Sequence, residues 1–217
     1  MIAKPATERE IEPEVAPAIA QFADDATSIA TGRYKPQRDA VLALKKAIQH
    51  FKNGEWAPAA IAAAESADAD AKFASAYHLL ALSLDNLGQR HQAFTMYERA
   101  LALDPHDPDL YLNIGTAAWG LRLFDGAEKA FRAYIALRPD CPKGYNNLAG
   151  CLRDNGQIDD AIALARDAIY QMPEAAELWN TLGTIMGEIS DFDKAIEFYK
   201  EAQRIDPKMS RAFHNLG

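Results

Sequence analysis

Apolar positions recur on two periods along this chain. At short range they fall three and four residues apart, the mark of helices with one buried face. At long range the pattern repeats every 34 residues: Tyr77, Tyr111, Tyr145, Trp179 and Phe213 each stand 34 after the one before. Three residues beyond each comes a large apolar side chain (Leu80, Ile114, Leu148, Leu182, Leu216), then a small one (Ala81, Gly115, Ala149, Gly183, Gly217). The small residue is expected to let a second helix come close. Ala93, Ala127, Ala161 and Ala195 follow 16 residues after the first four aromatics. Tyr97, Phe131, Ala165 and Tyr199 stand four further on, which predicts a second amphipathic helix per unit. Pro105, Pro139, Pro173 and Pro207 close the units, because proline cannot continue a helix and restricts the residue before it. Turns between paired helices are predicted near Gly88, Arg122, Gly156 and Ser190.

Units of one length with the same residue class at seven or more positions resemble the tetratricopeptide repeat (TPR) family. The resemblance implies an all-α, right-handed solenoid of helix–turn–helix hairpins, a quasi-one-dimensional fold that works through its surface. Full units are expected at 74–107, 108–141, 142–175 and 176–209. A degenerate one is expected at 40–73, where Gly54 marks the turn and Ala59 the small position, while Ala43 and Ala71 replace the aromatic and the proline. Its second helix is alanine-rich, Ala57 to Ala67. The unit at 108–141 also departs: Tyr134 stands where Ala100, Ala168 and Ala202 stand elsewhere, and Ala165 in the following unit is expected to supply room for its ring.

Residues 1–39 are a separate lead-in. Pro5, Pro13, Pro17 and acidic residues predict disorder over 1–16. Ile19, Phe22, Ala26 and Ile29 then have helical spacing, either a short capping helix on the first repeat or a partly ordered linker. At the other end, a unit begins at 210 with Phe213, Leu216 and Gly217 and stops within its first helix, so a longer polypeptide is expected.

Charge and cysteines narrow the partners. The formal net charge is −8, with no basic stripe, which argues against nucleic acid and anionic membrane. Apolar stretches are interrupted by charge, and no signal peptide is visible, so a cytoplasmic location is expected. The two cysteines, Cys141 in an inter-repeat loop and Cys151 on a helix, read as reduced thiols, one exposed and one packed.

The TPR resemblance assigns binding to the first helix of each unit, on the concave face. The two residues after each aromatic read His78-Leu79, Leu112-Asn113, Asn146-Asn147, Asn180-Thr181 and His214-Asn215. Asn113, Asn147 and Asn215 recur at one position, and a carboxamide can pair with both the N–H and the C=O of an extended peptide. This resembles the asparagine ladder in the TPR superhelix of O-linked N-acetylglucosamine transferases. Asparagine beside the packing leucine is equally a common feature of the repeat, stabilising neighbouring helices. The carboxylate clamp of chaperone-binding TPR domains fits only at Asn113 and Lys143, and His78, Leu82 and Asn147 replace its other residues, so that reading fails. Lys143 and Arg153 join Asp85, Asp109, Asp154, Glu177 and Glu188 in a mixed-charge face. Trp119 stands where neighbouring units have Asp85, Arg153 and Gly187, and is a candidate aromatic anchor flanking the asparagines.

The five histidines form no metal pair, and no nucleophile–base set, HExxH or phosphate loop is present. The sequence therefore predicts a cofactor-free scaffold that binds proteins or peptide segments, with self-association through the uncapped C-terminal face. The rival reading is the substrate-presenting arm of a larger enzyme, such as a glycosyltransferase of the O-GlcNAc type, with its catalytic domain beyond Gly217.

Overall fold

A computed structural model of the chain describes residues 35–208. Residues 1–34 of the lead-in expected over 1–39, and the partial unit from 210 with His214 and Asn215, lie outside the described residues. All regular structure among those described is helical: α1 (Arg38–Lys52), α2 (Trp56–Ala69), α3 (Ala74–Asn86), α4 (Arg90–Leu103), α5 (Pro108–Gly120), α6 (Phe124–Leu137), α7 (Pro142–Asp154), α8 (Ile158–Gln171), α9 (Ala176–Glu188) and α10 (Phe192–Ile205). The chain divides into two compact units, one ending at Leu110 and one beginning at Tyr111.

Five turns share one closure. Gly54, Gly88, Arg122, Gly156 and Ser190 adopt positive φ, between 59° and 81°. The residue after each donates its N–H back five residues, as Glu55 does to the His50 carbonyl and Asp191 to the Met186 carbonyl, both at 2.9 Å. A left-handed residue followed by this long bond satisfies carbonyls that the helix end leaves open. Glycine takes that conformation freely, whereas Arg122 and Ser190 hold it against their Cβ.

In the first unit α1 packs on α2, α2 on α3 and α3 on α4. The α1–α2 hairpin forms without an anchor aromatic because its second helix is small on its buried face: Ala59, Ala60, Ala62, Ala63 and Ala67 are buried. Leu44, Ile48 and Phe51 supply the bulk from α1, and the Phe51 ring meets Trp56 edge-on with centroids 4.9 Å apart. Ser66 is buried among the alanines and donates to the Ala40 carbonyl at 2.7 Å.

The second unit packs rings into glycines. An added Cβ at Gly115 would lie 2.5 Å from the Phe131 ring, and one at Gly183 would lie 2.7 Å from Tyr199. The recurrent small residue thus admits a specific ring from the paired helix, 16 residues on. Tyr134 finds its room differently from the expectation: Gly144 on α7, not Ala165, makes way, since a Cβ there would meet the tyrosine ring at 2.6 Å. Ala165 sits instead in a buried cluster with Tyr145, Ala168, Leu178 and Leu182.

Two anchor aromatics also bond to the proline that closes the repeat before them. Tyr145 Oη donates to the Pro139 carbonyl at 3.0 Å, and Trp179 Nε1 donates to the Pro173 carbonyl at 2.8 Å. The ring fills the core and its polar tip satisfies a carbonyl at the closing turn.

Candidate functional site

The first helices carry the candidate residues, and the two units treat them differently. In the first unit His78 on α3 is only 3 % exposed. Its Nδ1 lies 3.5 Å from Asp107 Oδ2, and its ring meets Tyr97 edge-on at 5.9 Å. This corrects the expectation that His78 lines an open groove: a half-polar ring between a carboxylate and a tyrosine is a buried packing residue. Leu79 beside it is also buried. Asp107 has a second role, accepting the Asp109 N–H at 2.9 Å at the start of α5. Burial raises the pKa of the Tyr97 hydroxyl well above the tyrosine range, with Asp85 adding to it.

In the second unit the same positions face outward in part. Asn146, Asn147 and Asn180 are half-buried, while Thr181 is buried. Asn146 Nδ2 donates to Asn147 Oδ1 at 3.3 Å, and Asn146 Oδ1 accepts from the Thr181 hydroxyl of α9. Asn180 Oδ1 is out of contact with solvent and has no donor. Asn113 on α5 and Lys143 on α7 are half-buried, and both are engaged.

The far ends of these helices are linked by charge. Trp119 Nε1 donates to Asp154 Oδ2 at 3.0 Å. Arg153 donates from Nε and Nη2 to Asp154 Oδ1 at 2.9 and 2.7 Å, and its Nε lies 3.5 Å from Glu188 Oε1. Arg153 is therefore neutralised by its neighbours instead of standing ready for an acidic ligand. Trp119 is likewise committed to packing. Its ring lies against Gly150, where a Cβ would fall 2.6 Å from Cη2, and meets Phe131 edge-on. The expected free aromatic anchor is corrected to a half-buried ring bridging α5 to α7.

Sequence reasoning missed the spacing of these links. Trp119–Asp154, Asn146–Thr181 and Arg153–Glu188 are each 35 residues apart, one unit plus one residue. In these three pairs a residue of α5 or α7 faces the next position on the first helix that follows. Two glycines carried a readable signal. Gly144 stands where other units have Ala76, Leu110 and Leu178, and Gly150 where they have Leu82, Thr116 and Thr184. Each departs from the repeat where it meets a ring that also departs.

Both cysteines are free thiols. Burial, with help from Glu128 and Asp154, pushes the Cys151 thiol up to about 11. Cys141 is half-buried, not exposed as expected, with Sγ 3.2 Å from the Tyr134 hydroxyl. Among the described residues no group of three or more His, Cys, Asp or Glu side chains is arranged to hold a metal.

Comparison with known proteins agrees with this architecture. The tetratricopeptide repeat model matches residues 78–142, 112–172 and 152–210. Protein FlbA of Caulobacter vibrioides is 36 % identical over 172 residues, covering 79 % of this chain and 29 % of FlbA. The chain spans less than a third of the length of that and the other first curated relatives it matches. Among solved structures, YrrB, described as a TPR protein with an unusual peptide-binding site, is 20 % identical with a TM-score of 0.65, over 89 % of this chain and 96 % of YrrB. MamA of Desulfovibrio magneticus RS-1 is 18 % identical with a TM-score of 0.71, over 81 % of this chain and 99 % of MamA. The repeat model spans more than half of the residues, the helices and turns follow its period, and the chain belongs to the tetratricopeptide repeat family.

Proposed function

We propose that this chain is a protein-binding scaffold whose first helices hold an extended polypeptide segment. One observation carries the reading: on α7 and α9 the outward positions are half-buried carboxamides, Asn146, Asn147 and Asn180, and Asn180 Oδ1 has no donor. Such side chains match a peptide main chain, which offers alternating donors and acceptors. Asn113, Lys143 and Arg153 border this surface as polar neighbours, and Asn215 belongs to the same row by its spacing.

The charge of −8 without a basic stripe points to protein partners over nucleic acid or anionic bilayers. Among the described residues no helix is long and apolar enough to cross a membrane. Two unpaired thiols suit a reducing compartment, and the reading places the chain in the cytoplasm as a non-catalytic module. Self-association is a further part of it, through the outer face of α10, where Phe192 is 63 % and Ile196 41 % exposed. Light scattering across a concentration series checks that part.

The central reading is tested by selecting random decapeptides displayed on phage against the whole chain. Recurrent binders with micromolar affinity are expected. A selection that enriches nothing above an unrelated helical protein sinks it.

A further inference from the structure

The solvent-facing side of α2 departs from the repeat. Ala57 stands where α4, α6, α8 and α10 have His91, Asp125, Asp159 and Asp193, and Ala64 where they have Glu98, Arg132, Arg166 and Lys200. Between them Ile61 replaces Thr95, Lys129, Ala163 and Glu197, and it is 63 % exposed. Ala57 is exposed as well, and Ala64 is half-buried. Spacings of four and three put the three on one face. A helix on the surface keeps polar side chains toward water, so an apolar outer face on this second helix points to an element that covers it. One turn further on the face becomes acidic, with Glu65 and Asp68 exposed.

The chain carries a matching sequence before α1. Phe22, Ala26 and Ile29 are spaced by four and three, as Ala57, Ile61 and Ala64 are, and Arg33 and Lys35 follow. Laid parallel, the two stretches set Phe22 against Ala57, Ala26 against Ile61 and Ile29 against Ala64. A large side chain then meets a small one at every level, which is how facing helices interdigitate. The basic residues fall beside Glu65 and Asp68. Connectivity sets the same direction. The Gln37 N–H donates to Asp70 Oδ2 at 2.9 Å, which pins the start of α1 beside the C-terminal end of α2. Residues 30–36 can span up to roughly 25 Å, and Ile61 lies about 14 Å along the helix from Asp70.

Size decides the occupant. Three side chains fall well short of the roughly 800 Å² per partner that a stable interface between separate molecules buries. A tethered segment acts at an effective concentration on the order of millimolar, so a small patch suffices to hold it. We propose that residues 17–30 of this chain dock in cis on the outer face of α2, parallel to it and in the register just given. The contact uses none of the first-helix residues of the peptide-binding reading and stands or falls separately from it.

The test is cross-linking of the full chain with a short bismaleimide, in a Cys141→Ser background. Ala26→Cys with Ala64→Cys should couple within one chain at least roughly tenfold faster than Ala26→Cys with Arg132→Cys, the equivalent position on α6. Adding Ile61→Glu should bring the first pair down to the control rate. Ile61 is exposed, so circular dichroism of that variant should match the parent. Amide exchange needs no cysteine: over residues 19–29, Ile61→Glu should speed it by roughly tenfold relative to the parent, the loss of one apolar contact. Equal rates for the two cysteine pairs overturn the proposal, as does exchange over 19–29 that Ile61→Glu leaves unchanged. Cross-links that join separate chains and vanish on dilution also overturn it, and assign the face to a second copy.

Discussion

Helices α2 and α6 hold the same place in their hairpins and achieve close approach by opposite means. On α2 the buried positions are Ala59, Ala60, Ala62, Ala63 and Ala67, with Ser66 among them, so this helix brings little bulk and Leu44, Ile48 and Phe51 of α1 supply it. On α6, Phe131 and Tyr134 are buried and enter spaces left by Gly115 and Gly144. The alanine solution tolerates changes of partner but buries little area per residue. The ring solution buries far more apolar surface, and ties each ring to one glycine. Close approach can thus be met by different side-chain pairs, provided their volumes fill the space between the helices.

The comparison can be broken by truncating a ring. Tyr145→Ala should cost about 3–5 kcal/mol in urea unfolding. Tyr145→Phe, which keeps the ring and loses the bond to Pro139, should cost only about 0.5–1.5 kcal/mol. Equal losses would mean that the hydroxyl, not the ring, anchors the unit.

Filling the spaces comes next. Gly115→Ala, Gly150→Ala, Ala161→Leu and Ala195→Leu should each cost about 1–3 kcal/mol through overpacking. Gly126→Ala is the opposing control: its Cβ would meet only Ala118 at 4.0 Å, so helix propensity should stabilise by about 0.5–1 kcal/mol. If all the glycines respond alike, the ring-in-glycine account fails.

A smaller gain is expected at the turns. Ser190→Gly relieves a left-handed residue and should raise stability by about 1 kcal/mol in thermal unfolding. Arg122→Gly should gain less, because the Arg122 guanidinium lies over the Phe124 ring at 4.9 Å and that contact is lost.

The smallest effect is pH-dependent and belongs to the first unit. Burial holds the Asp85 carboxyl above its ordinary value of 3.8, with Arg90 partly opposing. A carboxyl with a raised folded-state pKa binds its proton more tightly when folded, so stability falls as pH rises from the ordinary value through the raised one. Asp85→Asn should therefore gain relative to the parent between pH 4 and neutrality, a window set by about 3.9 for an unfolded Asp. A parallel pair of melting curves across that range would remove Asp85 from the account.

The sequence by itself determined the fold class and the turns, because both depend on local chemistry repeated at one period. Proline stops a helix wherever it stands, and spacings of three and four mark a helical face without reference to neighbours. Gly54, Gly88 and Gly156 announce left-handed turns directly, and Arg122 and Ser190 could be assigned to the same turns only through the period. The candidate surface was legible as a set of positions and not as a set of available groups. Asn146, Asn147 and Asn180 are all visible as carboxamides beside anchor aromatics, yet which is spent depends on the 35-residue offset between neighbouring first helices. His78 reads as a groove residue until Asp107 and Tyr97 enclose it. Trp119 and Arg153 read as available until Gly150, Asp154 and Glu188 engage them. Only the tertiary structure decided these, because hydrogen-bond satisfaction and burial are properties of pairs that folding brings together, and a linear pattern fixes the members of a pair without fixing their meeting.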